Sequence, residues 1–389
     1  MSRIRNSAMH GSPYRKLFGI CLAILFALAS TSAAFAQDGR LIREKIHAAS
    51  LEKNVTGESA DRSVSIYLPL GYEASPFKRY PVIYLLHGIG DTDETWINPW
   101  TKGAAWQSVP DVMNRGIAEK RFGEMIVVMP DARTNWGGSF YTNSSATGNW
   151  EDFIVKDLVN YIDARYRTLA RPESRGIAGH SMGGYGAIKL GMKHPEVYSV
   201  VYGINPALLG WGEDVSADNP AFDFLLTKQP KTAEEAVQGG FYALGIIVVA
   251  QAFSPNPKRA GTFADLPFER IEGKIQKTEP AYSQWTDNMP LYMVERYVAN
   301  LKKLRGLKFD SGYEDEFKHI PPTSRALSAA LTKNGVNHVF EEYNGDHRNR
   351  MMGRTGRLAN EVLPYFWMLL DSNQPFSGAR LSVPLSALR

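Results

Sequence analysis

Arg175-Gly176-Ile177-Ala178-Gly179-His180-Ser181-Met182-Gly183-Gly184-Tyr185-Gly186 is the stretch on which the reading of this chain turns. A short strand, 175–178, runs into a G-x-S-x-G pentapeptide, and a small-residue helix follows from Gly183 to Lys193. A sharp strand-to-helix turn exposes a serine hydroxyl at its tip, and the flanking glycines let neighbouring backbones approach without a Cβ in the way. The pentapeptide alone is a weak pattern. Its strand and helix flanks make Ser181 a candidate nucleophile.

Outward from this turn, strand-like and helix-like segments alternate, which predicts a mainly parallel sheet covered by helices. Pro81-Val82-Ile83-Tyr84-Leu85-Leu86 and Met125-Ile126-Val127-Val128-Met129 are continuous apolar runs, as expected of strands buried on both faces. Val64 to Leu68 alternates. The run 150–166 has apolar residues at helical spacing, with Asn149 or Thr147 as its expected cap. The alternation breaks after Asn205. Residues 208–300 are too long for a simple connection and carry their own apolar run, 241–250, so they read as an insertion and a possible cap over the site. An extra helical layer unrelated to the site is the equal alternative. Alternation resumes with Gly306–Asp310, a helix near 324–333, the strand 337–343 and a last helix near 358–370, before a tail, 373–389, without clear structure.

Arg3, Arg5, Arg15 and Lys16 precede a short apolar run and the exit Ala34-Phe35-Ala36, the pattern of a cleavable signal peptide over 1–36. The apolar run is shorter than the ~20 residues a spanning helix needs, so no stable membrane insertion is expected after cleavage. Removing those four basic residues leaves 40 basic against 40 acidic, a balance with no pull toward nucleic acid or anionic membrane. Cys21, the single cysteine, lies in the leader, which excludes a disulfide, a thiol nucleophile or a thiolate metal site in residues 37–372.

A nucleophilic serine needs a general base, and downstream of Ser181 stand His194, His319, His338 and His347. His347, in Gly345-Asp346-His347 just past the last strand, is preferred, with His319 next; His194 and His338 are expected to be structural. Spacing leaves two candidates, Asp310 and Asp315, for the carboxylate that fixes the imidazole tautomer. Backbone N–H groups of Met182 and of Ile89, in the turn after Leu86, are the expected donors to an oxyanion. His87 reads as a support for that turn. Asp91-Thr92-Asp93-Glu94 lacks the ligand spacing of a calcium loop, and no metal is expected.

As a set, His87-Gly88-Ile89-Gly90-Asp91 with Trp96, Gly179 to Gly184, Gly312-Tyr313-Glu314-Asp315 and Gly345-Asp346-His347 resemble the esterase D / feruloyl esterase family. That family also holds S-formylglutathione hydrolases, acetylxylan esterases and mycolyltransferases. The resemblance runs from about 63 to 370, interrupted after 208, and implies an α/β-hydrolase fold. It implies that the acid closes a G-x-x-D loop, which selects Asp315 over Asp310. Gly-Asp-His here stands for the family's more usual Gly-Gly-His. The implied chemistry is two-step acyl transfer through Ser181 and His347, without a cofactor. Export points away from a cytoplasmic thioester and toward small-molecule or polysaccharide-linked esters. Trp96, Trp136, Tyr141 and His180 are the candidate substrate contacts, with core burial the alternative for the aromatic residues. An acyltransferase with the same triad, and a non-catalytic binding module on the same scaffold, are the competing functions.

Overall fold

The computed structural model describes residues 38–98 and 107–372. The expected leader (1–36) and tail (373–389) lie outside the described residues. Eight strands make the central sheet: β1 (Arg40–His47), β2 (Asp61–Leu68), β3 (Val82–Leu86), β4 (Ile126–Pro130), β5 (Arg175–His180), β6 (Val200–Ile204), β7 (Gly306–Gly312) and β8 (Val339–Tyr343). Their spatial order is β1-β2-β4-β3-β5-β6-β7-β8. β1 and β2 pair antiparallel, β2 meets β4 antiparallel, and every pairing from β4 to β8 is parallel.

The apolar runs behave as two-faced strands should. Val82, Tyr84 and Leu86 enter one core with Ile126, Val128, Ile177 and Val201. Ile83 and Leu85 enter the other with Val127, Met129, Ala178 and Val200. Side chains alternate across a strand, so a strand covered on both sides must be apolar at every position. Edge strand β1 is largely exposed instead, and its Arg40, Arg43, Glu44 and Lys45 discourage edge-to-edge pairing.

Helices cover both faces. They include α1 (Val109–Ala118), α2 (Leu158–Arg165), α3 (Met182–Lys193), α4 (Gly240–Phe253), α5 (Pro290–Leu301), α6 (Ile320–Lys333) and α7 (Leu363–Leu369). Neither expected cap of the 150–165 helical run operates through its side chain: Asn149 makes no capping bond, and the Thr147 carbonyl accepts from Trp150 Nε1 at 2.9 Å. Register pairs Leu86 with Gly179, His180 with Ile204, and Ile204 with Asp310. The loops leaving β3, β5, β6 and β7 therefore open on one edge, the carboxyl side where open α/β sheets bind ligands.

Residues 208–300 hold helices Pro220–Lys228 and Ala281–Asn288, a two-stranded hairpin (Phe268–Ile271 with Lys274–Lys277), α4, and most of α5. α5 packs along α3, with Asn300 donating to the Lys193 carbonyl at 3.3 Å, so it belongs to the helical layer of the sheet. α4 belongs to the run Ala233–Phe253, which is long and apolar enough to cross a membrane by length and composition. Here every residue from Ile246 to Phe253 is buried in protein. A helix apolar all round fits such burial.

Candidate active site

Ser181 sits at the turn between β5 and α3 with φ 56° and ψ −117°. Such backbone costs about 1–3 kcal/mol in an L residue and persists only where its surroundings over-determine it. They do so here: Ser181 N–H donates to the Ile204 carbonyl at 3.0 Å, while the Ser181 carbonyl accepts from Tyr185 N–H at 3.0 Å and Ala207 N–H at 3.1 Å. The pentapeptide glycines have a physical cause. A Cβ on Gly179 would stand 2.4 Å from the Gly183 backbone, and one on Gly183 would stand 2.2 Å from the Leu86 carbonyl oxygen. Neither obstacle is a side chain that can turn aside.

His347 is delivered by the loop after β8, where its Nδ1–H donates to Asp315 Oδ2 at 2.7 Å. Phe317 N–H donates to the other carboxylate oxygen at 2.9 Å. Gly312 lets the two loops meet, since a Cβ there would lie 2.2 Å from the Gly345 carbonyl oxygen. Two further side chains hold the His347 carbonyl: His180 Nε2–H at 2.8 Å and Asn205 Nδ2–H at 2.9 Å. Asn205 Oδ1 also accepts from Gly312 N–H at 2.8 Å, so one buried amide joins the loops after β6, β7 and β8. Sequence reasoning assigned Asn205 no role. His180, expected to touch substrate, ties the strand beside Ser181 to the His347 loop instead.

Burial pushes the His347 imidazole below its ordinary pKa, with the nearby Arg348 charge acting in the same direction and Glu316 opposing it. The ring is thus held neutral near pH 7, the state a base needs. Burial likewise raises Asp315, opposed by the Phe317 N–H.

The other titratable candidates have partners other than His347. Asp310 Oδ2 accepts from Tyr202 Oη at 2.7 Å and Arg357 Nε at 2.6 Å, inside the core. His194 meets Glu151 at 2.8 Å, and His338 meets Ser328 at 2.8 Å. His319 Nδ1–H donates to Asp214 Oδ2 at 2.7 Å. His87 donates from Nδ1 to the Gly88 carbonyl at 2.7 Å and accepts Ala132 N–H at Nε2 at 2.8 Å, which makes it the turn support its place in the sequence suggests. Asp93 accepts from Arg43 at 2.8 Å and from Ser65 at 2.8 Å, so its carboxylate is committed.

Ser181 and Met182 open into an apolar cleft of about 520 Å³, also lined by Ile89, Phe140, Phe241, Tyr242, Ile246 and Phe317. Among the described residues, the Ile89 and Met182 N–H groups have no hydrogen-bond acceptor. Met182 opens α3, so its N–H stands at the positive end of a twelve-residue helix. Leu208, Asp214, Val215, Gly245 and Val249 complete the cleft wall from the 208–300 segment.

Three expected aromatic contacts are corrected. Trp96 is 1% exposed and packs in the core on the α1 and α7 side of the sheet with Ile83 and Leu85, where it meets no cleft. Tyr141 is wholly buried; its hydroxyl donates to the His87 carbonyl at 2.8 Å, and its ring fills the space beside Gly186. Trp136 is also buried, in the core that backs the cleft, and is not among the cleft-lining residues. Their neighbour Phe140 takes the lining position, which periodicity gave no means to single out.

A mainly parallel sheet covered by helices on both faces, with a strained serine at the end of its central strand, has the architecture of the α/β-hydrolase-type esterases. The chain belongs to the putative esterase family, whose model matches residues 58–352. It is 35% identical over 272 residues to Esterase Rv1288 of Mycobacterium tuberculosis (strain ATCC 25618 / H37Rv), covering 66% of this chain and 51% of that protein. The chain thus spans about half the length of the curated relatives it first matches. It is 29% identical over 140 residues to an endo-1,4-beta-xylanase/feruloyl esterase of Xylanibacter ruminicola, covering 35% of this chain and 18% of that protein. Among solved structures, a ferulic acid esterase superposes with a TM-score of 0.59 at 21% identity, over 86% of this chain and all of the other, a likeness of fold.

Proposed function

We propose that this chain hydrolyses carboxylic esters through an acyl-enzyme on Ser181, with His347 as general base and Asp315 as its orienting carboxylate. The observation that carries this reading is the 2.7 Å bond from His347 Nδ1 to Asp315, on a loop whose His347 carbonyl is held by His180, the residue beside the strained serine. The bond keeps the proton on Nδ1 and leaves Nε2 free to take the Ser181 proton. His347 then returns that proton to the departing alcohol, and water repeats the cycle on the acyl-enzyme. The unpaired N–H groups of Ile89 and Met182 stabilise the tetrahedral oxyanion, and the α3 dipole adds to them.

The substrate reading is an ester of an aromatic acid or of acylated carbohydrate. It is supported by the aromatic cleft walls Phe140, Phe241 and Phe317 and by the feruloyl esterase activity named in a relative. The segment 208–300 acts as a cap, because it supplies Phe241, Tyr242, Ile246 and Val249 to the wall over the serine. The basic and apolar start of the chain directs export to the periplasm or beyond.

The test is Ser181→Ala against wild type on p-nitrophenyl acetate, methyl ferulate and acetylated xylan, with fluorophosphonate labelling alongside. Loss of both hydrolysis and labelling, with circular dichroism unchanged, is expected. Retention of either within tenfold would move the nucleophile elsewhere.

A further inference from the structure

Another histidine–carboxylate pair, apart from His347 and Asp315, faces the cleft into which Ser181 opens. His319, at the start of α6, and Asp214, from the 208–300 segment, both line it, together with Tyr242. Asp214 Oδ2 accepts from both the backbone N–H of His319 at 2.9 Å and its ring Nδ1–H at 2.7 Å. Asp214 Oδ1 accepts from the Tyr242 hydroxyl at 2.9 Å. Burial raises the Asp214 carboxyl, but the His319 side-chain and backbone bonds outweigh it and keep the group below its ordinary pKa.

The carboxylate therefore holds the Nδ1 side of the ring and leaves Nε2 as its one open position. That Nε2 is buried and has no hydrogen-bond partner among the described residues, in a residue only 5% exposed. A buried polar atom left unpaired costs about 1–3 kcal/mol, and most such atoms in folded proteins are satisfied. An imidazole this firmly oriented, with Nε2 open, is placed to bind a polar group of a ligand. Phe317 links the two pairs: its ring lies 4.7 Å from that of His347 and 6.4 Å from that of His319. One aromatic ring spans the gap between them.

We propose that Asp214 and His319 form a recognition dyad for a hydroxyl on the acyl part of the ester, with His319 Nε2 accepting that hydroxyl's hydrogen. The acyl class this selects is aromatic and hydroxylated, because the cleft that the dyad shares with Ser181 is also lined by Phe140, Phe241 and Phe317. His319 is a specificity residue here; it takes no proton in the reaction. The inference rests on the reading that esters are cleaved at Ser181.

The test compares three methyl esters that differ at one atom group: 4-hydroxycinnamate, 4-methoxycinnamate and unsubstituted cinnamate. A site that hydrogen-bonds a substrate hydroxyl rejects analogues without it by up to about 10⁴-fold in kcat/KM. Wild type should favour the hydroxylated ester at least about a hundredfold over both others, since the methoxy group fills the space but donates nothing. His319→Phe should collapse that ratio to within a few fold, and His319→Gln, which keeps an acceptor oxygen, should restore part of it. Equal rates on all three esters with wild-type protein would overturn the dyad while leaving Ser181 chemistry intact, whatever the variants do. Absence of any ester hydrolysis, with no fluorophosphonate label on Ser181, would instead overturn the esterase reading beneath it.

Discussion

Replacing Asp315 by asparagine exchanges one carboxylate oxygen for an NH₂ group and should stop the proposed reaction, for a reason the hydrogen bonds supply. Phe317 N–H donates to Oδ1 at 2.9 Å and His347 Nδ1–H donates to Oδ2 at 2.7 Å. In Asp315→Asn the amide oxygen stays with Phe317 N–H, because turning it away would set two donors against each other at a buried site for about 1–3 kcal/mol. The amide NH₂ then faces His347 Nδ1, which must accept. The ring proton moves to Nε2, the nitrogen that has to receive the serine proton. In a serine protease the same substitution lowers kcat about 10⁴-fold, equal to roughly 5.4 kcal/mol at the barrier. Asp310→Asn is the control, because the Asp310 carboxylate bonds Tyr202, Arg357 and the Asn205 N–H, three partners that the asparagine oxygen can still serve in part, and none of them is the His347 ring. Removing one of the two carboxylates on Arg357, which keeps Glu341 Oε2 at 2.7 Å, should cost about 1–3 kcal/mol of stability and leave kcat per folded molecule within a few fold. The assay is kcat on p-nitrophenyl acetate, normalised to the folded fraction from circular dichroism, beside urea midpoints. A folded Asp310→Asn that has lost 10⁴-fold, or an Asp315→Asn within tenfold of wild type, would refute the reasoning.

Two further outcomes follow from the cleft. His347 is pushed below 6.5 by burial, and its neutral form is the base, so kcat/KM should fall only as pH drops through that lowered value. An acid limb with its midpoint at or above 6.5 would contradict the burial argument. Gly245 lines the cleft from within α4, and a Cβ added there meets nothing within 4 Å. Gly245→Leu should add about 1 kcal/mol of helix stability while lowering kcat/KM on methyl ferulate at least about tenfold more than on p-nitrophenyl acetate. An unchanged ratio between the two esters would remove α4 from the acyl site.

What could be read from the sequence was what local rules enforce. The pentapeptide was legible because Gly179 and Gly183 face backbone at 2.4 and 2.2 Å, an obstacle that leaves no other residue type. β3 and β4 were legible because burial on two faces demands unbroken apolar runs. Asp310 and Asp315 were not separable by spacing, since one lies in β7 and the other just beyond its end. Alternation along the strand sends the Asp310 carboxylate into the core, whereas the turn after Gly312 brings Asp315 toward the next loop. The resemblance to a known family, rather than periodicity, preferred the residue that meets His347. Asn205 and Asp214 escaped notice because their partners lie 142 and 105 residues away, and no local pattern encodes such a pairing. Trp96 was misread for a related reason: a tryptophan beside a loop motif looks the same whether it faces a cleft or the opposite core.

Strain marks the region where those local rules give way. Nine non-glycine residues among those described have positive φ, and five of them are the proposed nucleophile Ser181 and four residues in the loops around it, Phe140, Tyr141, Asn205 and Leu208. Each is disfavoured by its own propensity, so each must be held by contacts formed elsewhere in the chain. Ser181 has three backbone bonds to this end, Asn205 has Gly312 and His347, and Tyr141 has the His87 carbonyl. Local preference and tertiary structure agree across most of a natural sequence, and their disagreement concentrates where function sets the geometry. The clustering thus argues for the site independently of the serine motif. It also explains why the cleft-lining Phe140 and Leu208 could not have been found from periodicity: their backbone conformations belong to no regular element.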